Sequence, residues 1–149
     1  MISIRKAQPD DAGDIALFQH DMAWETERLK LNPAIVASGV NAVFLDPSKG
    51  QYYVAEDEGK VVASLLITYE WSDWRNTYVW WFQSVYVRTS HRRRGIFTSM
   101  YEHVRNEADK ESVAGLRLYV DSSNLRACKT YESLGMTCEH YKLYEWLKD

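Results

Sequence analysis

Val85-Tyr86-Val87-Arg88-Thr89-Ser90-His91-Arg92-Arg93-Arg94-Gly95-Ile96-Phe97-Thr98-Ser99-Met100 is the stretch on which the reading of this chain turns. It begins with β-forming residues, continues as a basic turn holding one glycine, and ends by opening an apolar repeat. Ile96, Met100, Val104 and Ala108 recur every fourth residue, which predicts a buried stripe along a helix. A helix that starts straight after such a turn presents unpaired N–H groups and the positive end of its dipole. Both suit a phosphate or pyrophosphate. Arg92, Arg93 and Arg94 put three positive charges at the same place. The run lacks the Gly-Lys-Ser/Thr of a Walker loop and the spaced glycines of the dinucleotide fingerprint. A solvated arginine turn that merely precedes a helix fits the same residues.

Working outward, Tyr78 to Val87 is apolar on both faces at several positions, which predicts a central strand. Leu116 to Val120 predicts another. A strand-helix-strand unit over residues 78–120 implies a parallel pair. Upstream, Ile2 to Ala7 alternates as a half-buried strand does. Pro9-Asp10 opens a helix to about Glu27, and Asn32-Pro33 opens a second that ends near Phe44. Gln51 to Ala55 and Val61 to Tyr69 form a hairpin about Asp57-Glu58-Gly59-Lys60, and Ser72 to Asn76 is a polar loop. Downstream, Ser123 or Asn124 caps a helix that Gly135 ends. Thr137 to Leu147 reads as one or two further strands. The order is α+β, with a mixed and largely antiparallel sheet flanked by about four helices.

A length of 149 residues fits one domain, residues 1–149, with a substantial core. The net charge of -3 argues against general nucleic-acid affinity, and the positive charge gathers between Arg88 and Arg94 instead. No apolar run is long enough to span a membrane, and no signal segment is recognisable. Cys128 and Cys138 have neither metal nor redox spacing, so they read as reduced residues of a cytoplasmic protein, and no metal site is expected. His91 reads as a turn residue in solvent. The 6 Trp and 10 Tyr include a cluster between Tyr69 and Tyr86 that serves strand packing or walls an acceptor pocket.

Arg92-Arg93-Arg94-Gly95-Ile96-Phe97 resembles the acetyl-CoA-binding motif of the GCN5-related N-acetyltransferases (GNAT), Gln/Arg-x-x-Gly-x-Gly/Ala. It matches at Arg92 and Gly95 and departs at Phe97, where a small residue is usual, which leaves less room beside the phosphates. Asn124 to Met136 resembles a second pattern of that family, Asn-x-x-Ala-x-x-x-Tyr-x-x-x-Gly-Phe/Met, without a gap. The resemblance implies the GNAT-type fold, in which two parallel central strands splay apart and the coenzyme lies in the gap. It implies that the backbone from Arg93 through Arg94, Gly95, Ile96 and Phe97 to Thr98 cradles the pyrophosphate, with Arg92 beside it. Val85, Tyr86 and Val87 would pair with the pantetheine arm, and a backbone N–H of Val85 or Tyr86 would polarise the thioester. Asn124 would touch the arm, and Tyr131 would protonate the leaving thiolate as general acid.

Many relatives carry a carboxylate on the central strand where this chain has Gln83 and Ser84, neither of which is a base at neutral pH. Glu70, Asp73, Glu25 and Glu27 remain as base or acceptor-site candidates, alongside a water chain or an amine that arrives neutral. The expected activity is acetyl transfer from acetyl-CoA to an amine, on a small molecule rather than a protein. A non-catalytic acyl-CoA-binding or protein-interaction module on the same fold is the competing expectation. The aromatic C-terminal segment leaves room for a homodimer.

Overall fold

A computed structural model of the chain describes residues 1–148. The chain divides into two compact units, Met1–Arg117 and Leu118–Asp149. The first holds β1 (Ile2–Lys6), α1 (Ala12–Glu27), α2 (Pro33–Leu45), β2 (Gln51–Asp57), β3 (Lys60–Ser72), β4 (Thr77–Val87), α3 (Ile96–Lys110) and β5 (Gly115–Arg117). The second holds α4 (Leu125–Ser133).

Local chemistry sets the boundaries in the first unit. Asn32 Oδ1 accepts from the N–H groups of Ala34 and Ile35, and Pro33 fills the first helical position of α2. Pro9–Asp11 forms a 3-10 turn ahead of α1, and the Asp11 carboxylate accepts from the Gln8 N–H and from both arms of Arg5. That ion pair holds the Asp11 carboxyl below its usual range, against the opposing effect of burial. The β2–β3 turn places Glu58 and Gly59 at positive φ (50° and 79°), the pair of left-handed residues that a two-residue hairpin requires.

The five strands form one sheet in the order β1-β2-β3-β4-β5. All neighbours are antiparallel except β4 and β5, which are parallel. Their ladder joins only Val79–Trp81 to Gly115–Arg117. Phe82 to Val87 therefore runs on beyond the end of β5, with no parallel ladder alongside it. β5 is shorter than the Leu116–Val120 strand expected from sequence. No strand forms between Thr137 and Lys148. The alternation there is real, but a strand needs a ladder partner, and the second unit contains none among its described residues.

Alternate residues of the sheet serve two helical layers. Tyr52, Val54, Val61 and Tyr86 meet Ile15 and Phe18 of α1 and Val40 of α2. On the opposite face Tyr53 meets His103 of α3, and Phe82 meets Phe97 and Tyr101. The stripe Ile96, Met100, Val104 and Ala108 is buried as the periodicity predicts. Each such large side chain stabilises the fold by about 1.5–3 kcal/mol.

Ser64 on β3 sits opposite Val54 and Tyr86, fully buried, with its Oγ unpartnered. An unsatisfied buried hydroxyl costs about 1–3 kcal/mol. Ser64→Ala is therefore expected to hold or raise the urea midpoint. A clear loss of stability would mean that the hydroxyl is bonded in solution.

Candidate active site

The site grows from an irregularity in β4. Ser64 pairs with Tyr86 and Leu66 with Gln83, so Ser84 and Val85 together face Leu65 alone. This is a β-bulge, and Ser84 takes the left-handed conformation (φ 53°) to make it. A bulge takes one residue out of the regular β3–β4 ladder. The next residue, Tyr86, packs its ring on Phe18 at 5.3 Å and donates its hydroxyl to Glu25 Oε1 at 3.2 Å. Burial and the nearby Glu25 charge push the Tyr86 phenol above its ordinary pKa.

A 3-10 turn at Thr89–His91 then leads into the arginine loop. Arg93 and Gly95 adopt left-handed φ (63° and 74°), which folds the loop under α3. Gly95 is the N-cap and offers no side chain to the first turn, which carries no acidic residue. The first helical bond is Ser99 N–H to Gly95 O at 3.0 Å. The N–H groups of Ile96, Phe97 and Thr98 therefore lead out of the helix, with the dipole behind them. Such an uncapped helix N-terminus suits an anion.

The arginines divide the work. Arg88 stacks on Phe18 at 4.9 Å and donates to Val61 O, so it anchors the loop to the sheet. Arg94 lies 3.9 Å from Asp57. Arg93 is exposed, and no carboxylate pairs with it among the described residues. Arg92 donates to Glu25 Oε2 at 2.7 Å and to Val87 O at 2.8 Å, over the Tyr86 ring. His91 departs from the solvent-turn reading: its Nε2 meets Asp57 Oδ2 at 3.0 Å, and only 18% of its side chain is exposed. The end of the β2–β3 hairpin supplies that carboxylate, which no local pattern around His91 announces. Phe97 spends its bulk on Phe82 and Tyr101, at centroid distances of 6.1 and 6.3 Å.

The candidate carboxylates lie in different places. Glu25 touches Tyr86 and Arg92, at the bulge. Glu27 closes α1 and is exposed, and Asp73 lies exposed in the β3–β4 turn. Glu70 is opposite Val79 and accepts from Trp81 Nε1 at 2.7 Å and from Arg117 at 3.1 Å. These donors lower its carboxyl pKa, the indole contact first. Val79 is six residues from Val85, roughly 20 Å along the strand. Gln83, at the usual acidic position, donates to Thr68 Oγ1.

In the second unit, Asn124 caps α4 by accepting from the Ala127 N–H at 3.2 Å. Gly135 (φ 89°) ends the helix, with Gly135 N–H on Glu132 O and Met136 N–H on Tyr131 O. That paired pattern is the Schellman closure expected of a terminal glycine. Burial raises the Tyr131 phenol above its ordinary pKa, so it is protonated at neutral pH.

A bulged strand in a mixed sheet, followed by a basic loop and an uncapped helix N-terminus, invites comparison with known proteins. The sequence matches the Acetyltransferase (GNAT) family over residues 10–136. The chain belongs to this family. A structure described as a possible acetyltransferase from Clostridium difficile 630 shares 45% identity, covering 100% of this chain and 99% of that one, with a TM-score of 0.91. At 18% identity, a predicted acetyltransferase with acetyl-CoA from Clostridium acetobutylicum shares the fold at a TM-score of 0.75, covering 99% of this chain and 95% of that one. No curated protein matches the chain. As a GNAT acetyltransferase, the chain uses acetyl-CoA as acyl donor. No described helix is long and apolar enough to cross a membrane.

Sequence reasoning nominated Glu25, Tyr86 and Arg92 separately and missed that they meet. Their contacts span 61 and 67 residues, a separation at which no local pattern carries information.

Proposed function

We propose that this GNAT chain moves the acetyl group of acetyl-CoA to the amine of a small molecule. The observation that carries the reading is the uncapped α3 N-terminus that follows the bulged β4 strand through the arginine loop. In this reading the amides of residues 93–98 hold the diphosphate. The backbone N–H of Val85 or Tyr86 donates to the thioester oxygen as negative charge develops on it. Nitrogen attacks the carbonyl carbon and the C–S bond breaks. The amine proton passes to Glu25, and Tyr131, assigned by its place in the second motif, gives its proton to the thiolate. Glu25 is preferred over Glu70 because it lies at the bulge, whereas Glu70 is committed to Trp81 and Arg117.

A cavity of about 360 Å³ at the end of α1 supports a small acceptor. His20, Asp21, Trp24, Leu29, Lys30 and Leu31 line it, so it offers a carboxylate beside a lysine, with apolar surface for the body of the acceptor. A cytoplasmic location accords with the coenzyme and with two free cysteines.

Calorimetry with acetyl-CoA, followed by incubation of labelled coenzyme with an amine panel, tests the reading. Binding and an acetylated amine are the expected results. Absence of binding at millimolar coenzyme would overturn it. Binding without transfer to any amine would favour the non-catalytic acyl-CoA module, for which the missing strand carboxylate at Gln83 and Ser84 speaks. Glu25→Gln is expected to lower turnover about tenfold, water partly replacing the base, while Glu70→Gln changes it less than about twofold. Steady-state kinetics on both variants separates the two candidates.

A further inference from the structure

Arg92 opens the phosphate-loop motif, yet its guanidinium is engaged by α1 and the end of β4. Nη2 meets Glu25 Oε2 at 2.7 Å, Nε meets Val87 O at 2.8 Å, and the group lies over the Tyr86 ring at 5.2 Å. The other Glu25 oxygen accepts from the Tyr86 hydroxyl. One carboxylate is thus held by the coenzyme loop on one side and by the bulged strand on the other.

The pair is partly solvated, with 43% of the Arg92 side chain and 35% of the Glu25 side chain exposed. Such pairs are weak, about 0–1 kcal/mol, so a better anion can displace the carboxylate. A diphosphate is that anion: it carries more charge, and its oxygens match the guanidinium fork. The Nε bond to Val87 O and the ring contact can persist while the outer nitrogen changes partner.

We propose that Glu25 and the coenzyme diphosphate compete for Arg92, so that coenzyme binding frees a Glu25 oxygen for the acceptor amine. The proposal rests on the acetyltransferase reading above and adds a coupling between its two substrate sites. Without coenzyme, the carboxylate that would meet the amine is occupied by the loop arginine. With coenzyme, it is released. Linkage makes the effect reciprocal: an amine that engages Glu25 releases Arg92 and tightens coenzyme binding by the same factor.

The test is a double-mutant cycle in coenzyme A affinity, measured by calorimetry on the full chain. Glu25→Gln should bind coenzyme A about 2- to 5-fold tighter than wild type, since the competitor is gone. Arg92→Met should bind more weakly, and Arg92→Lys should recover part of the loss. In the Arg92→Met background, Glu25→Gln should no longer change the affinity. Glu27→Gln, which removes a charge two residues away on the same helix, should leave affinity unchanged and so exclude a general field effect. Thermal melts would confirm that each variant is folded. Equal or weaker binding by Glu25→Gln, a gain that persists without Arg92, or an equal gain in Glu27→Gln would overturn the coupling. Wild-type protein that binds no coenzyme A would overturn the acetyltransferase reading as well; intact binding without coupling would overturn this inference alone.

Discussion

Tyr131→Phe is expected to lower turnover with acetyl-CoA about 10²- to 10⁴-fold while leaving the coenzyme Kd within about twofold. The substitution removes one oxygen and keeps the ring. In the proposed role the oxygen carries the proton. Burial raises the phenol pKa above its ordinary value. A thiolate leaving group is more easily expelled when a nearby acid is still protonated, and a raised pKa keeps this one protonated throughout the neutral range. The sign for the pH profile follows. An acid is useful only in its protonated form, so activity is lost as pH rises through its pKa. That alkaline limb should lie above the value near 10 of an unperturbed phenol, and it should vanish in the variant. Steady-state rates from pH 7 to 11, paired with calorimetric affinities, check both points. A variant with wild-type turnover would remove Tyr131 from the chemistry and return it to helix packing.

How far the site could be read from sequence depended on whether its parts were local. The α3 stripe, the Asn32-Pro33 start, the Glu58-Gly59 turn and the Gly135 stop are each written in a few adjacent residues, and each forms where expected. The bulge was not legible, because Ser84 is no glycine and its left-handed φ follows from the register of β3 against β4. The same holds for His91, whose partner Asp57 comes from another hairpin. Thr137–Leu147 shows the opposite failure. Its alternation is a local signal for a strand, and a local signal cannot supply the neighbour that a strand requires. Among the four carboxylates, identity alone made them equal. Only tertiary contacts separate Glu25, on Tyr86 and Arg92, from Glu70, on Trp81 and Arg117.

Gly95→Val should weaken acetyl-CoA binding about 10- to 100-fold with little loss of global stability. Gly95 sits at φ 74°, and a Cβ placed there meets no atom within 4 Å. The site has room for a side chain, so steric overlap with neighbours is not the cause. The cost lies in the backbone: a β-branched residue in the left-handed region carries strain of about 1–3 kcal/mol. The loop is exposed and ends at a helix N-terminus without a side-chain cap, so it can relieve that strain by leaving the left-handed conformation. Doing so reorients the amides of residues 93–98, which in the proposed reading converge on the diphosphate. The penalty therefore appears in coenzyme affinity, while the buried stripe from Ile96 to Ala108 keeps α3 in place. Gly95→Ala should show a smaller effect in the same direction, and Gly95→Asn, which tolerates this region, the smallest of the three. Calorimetric affinities ranked Asn, Ala, Val, with melting temperatures within a few degrees, would support backbone conformation as the basis of binding. Equal affinities for all three would mean that the anion is held by arginine side chains, and the cradle of amides would have to be abandoned.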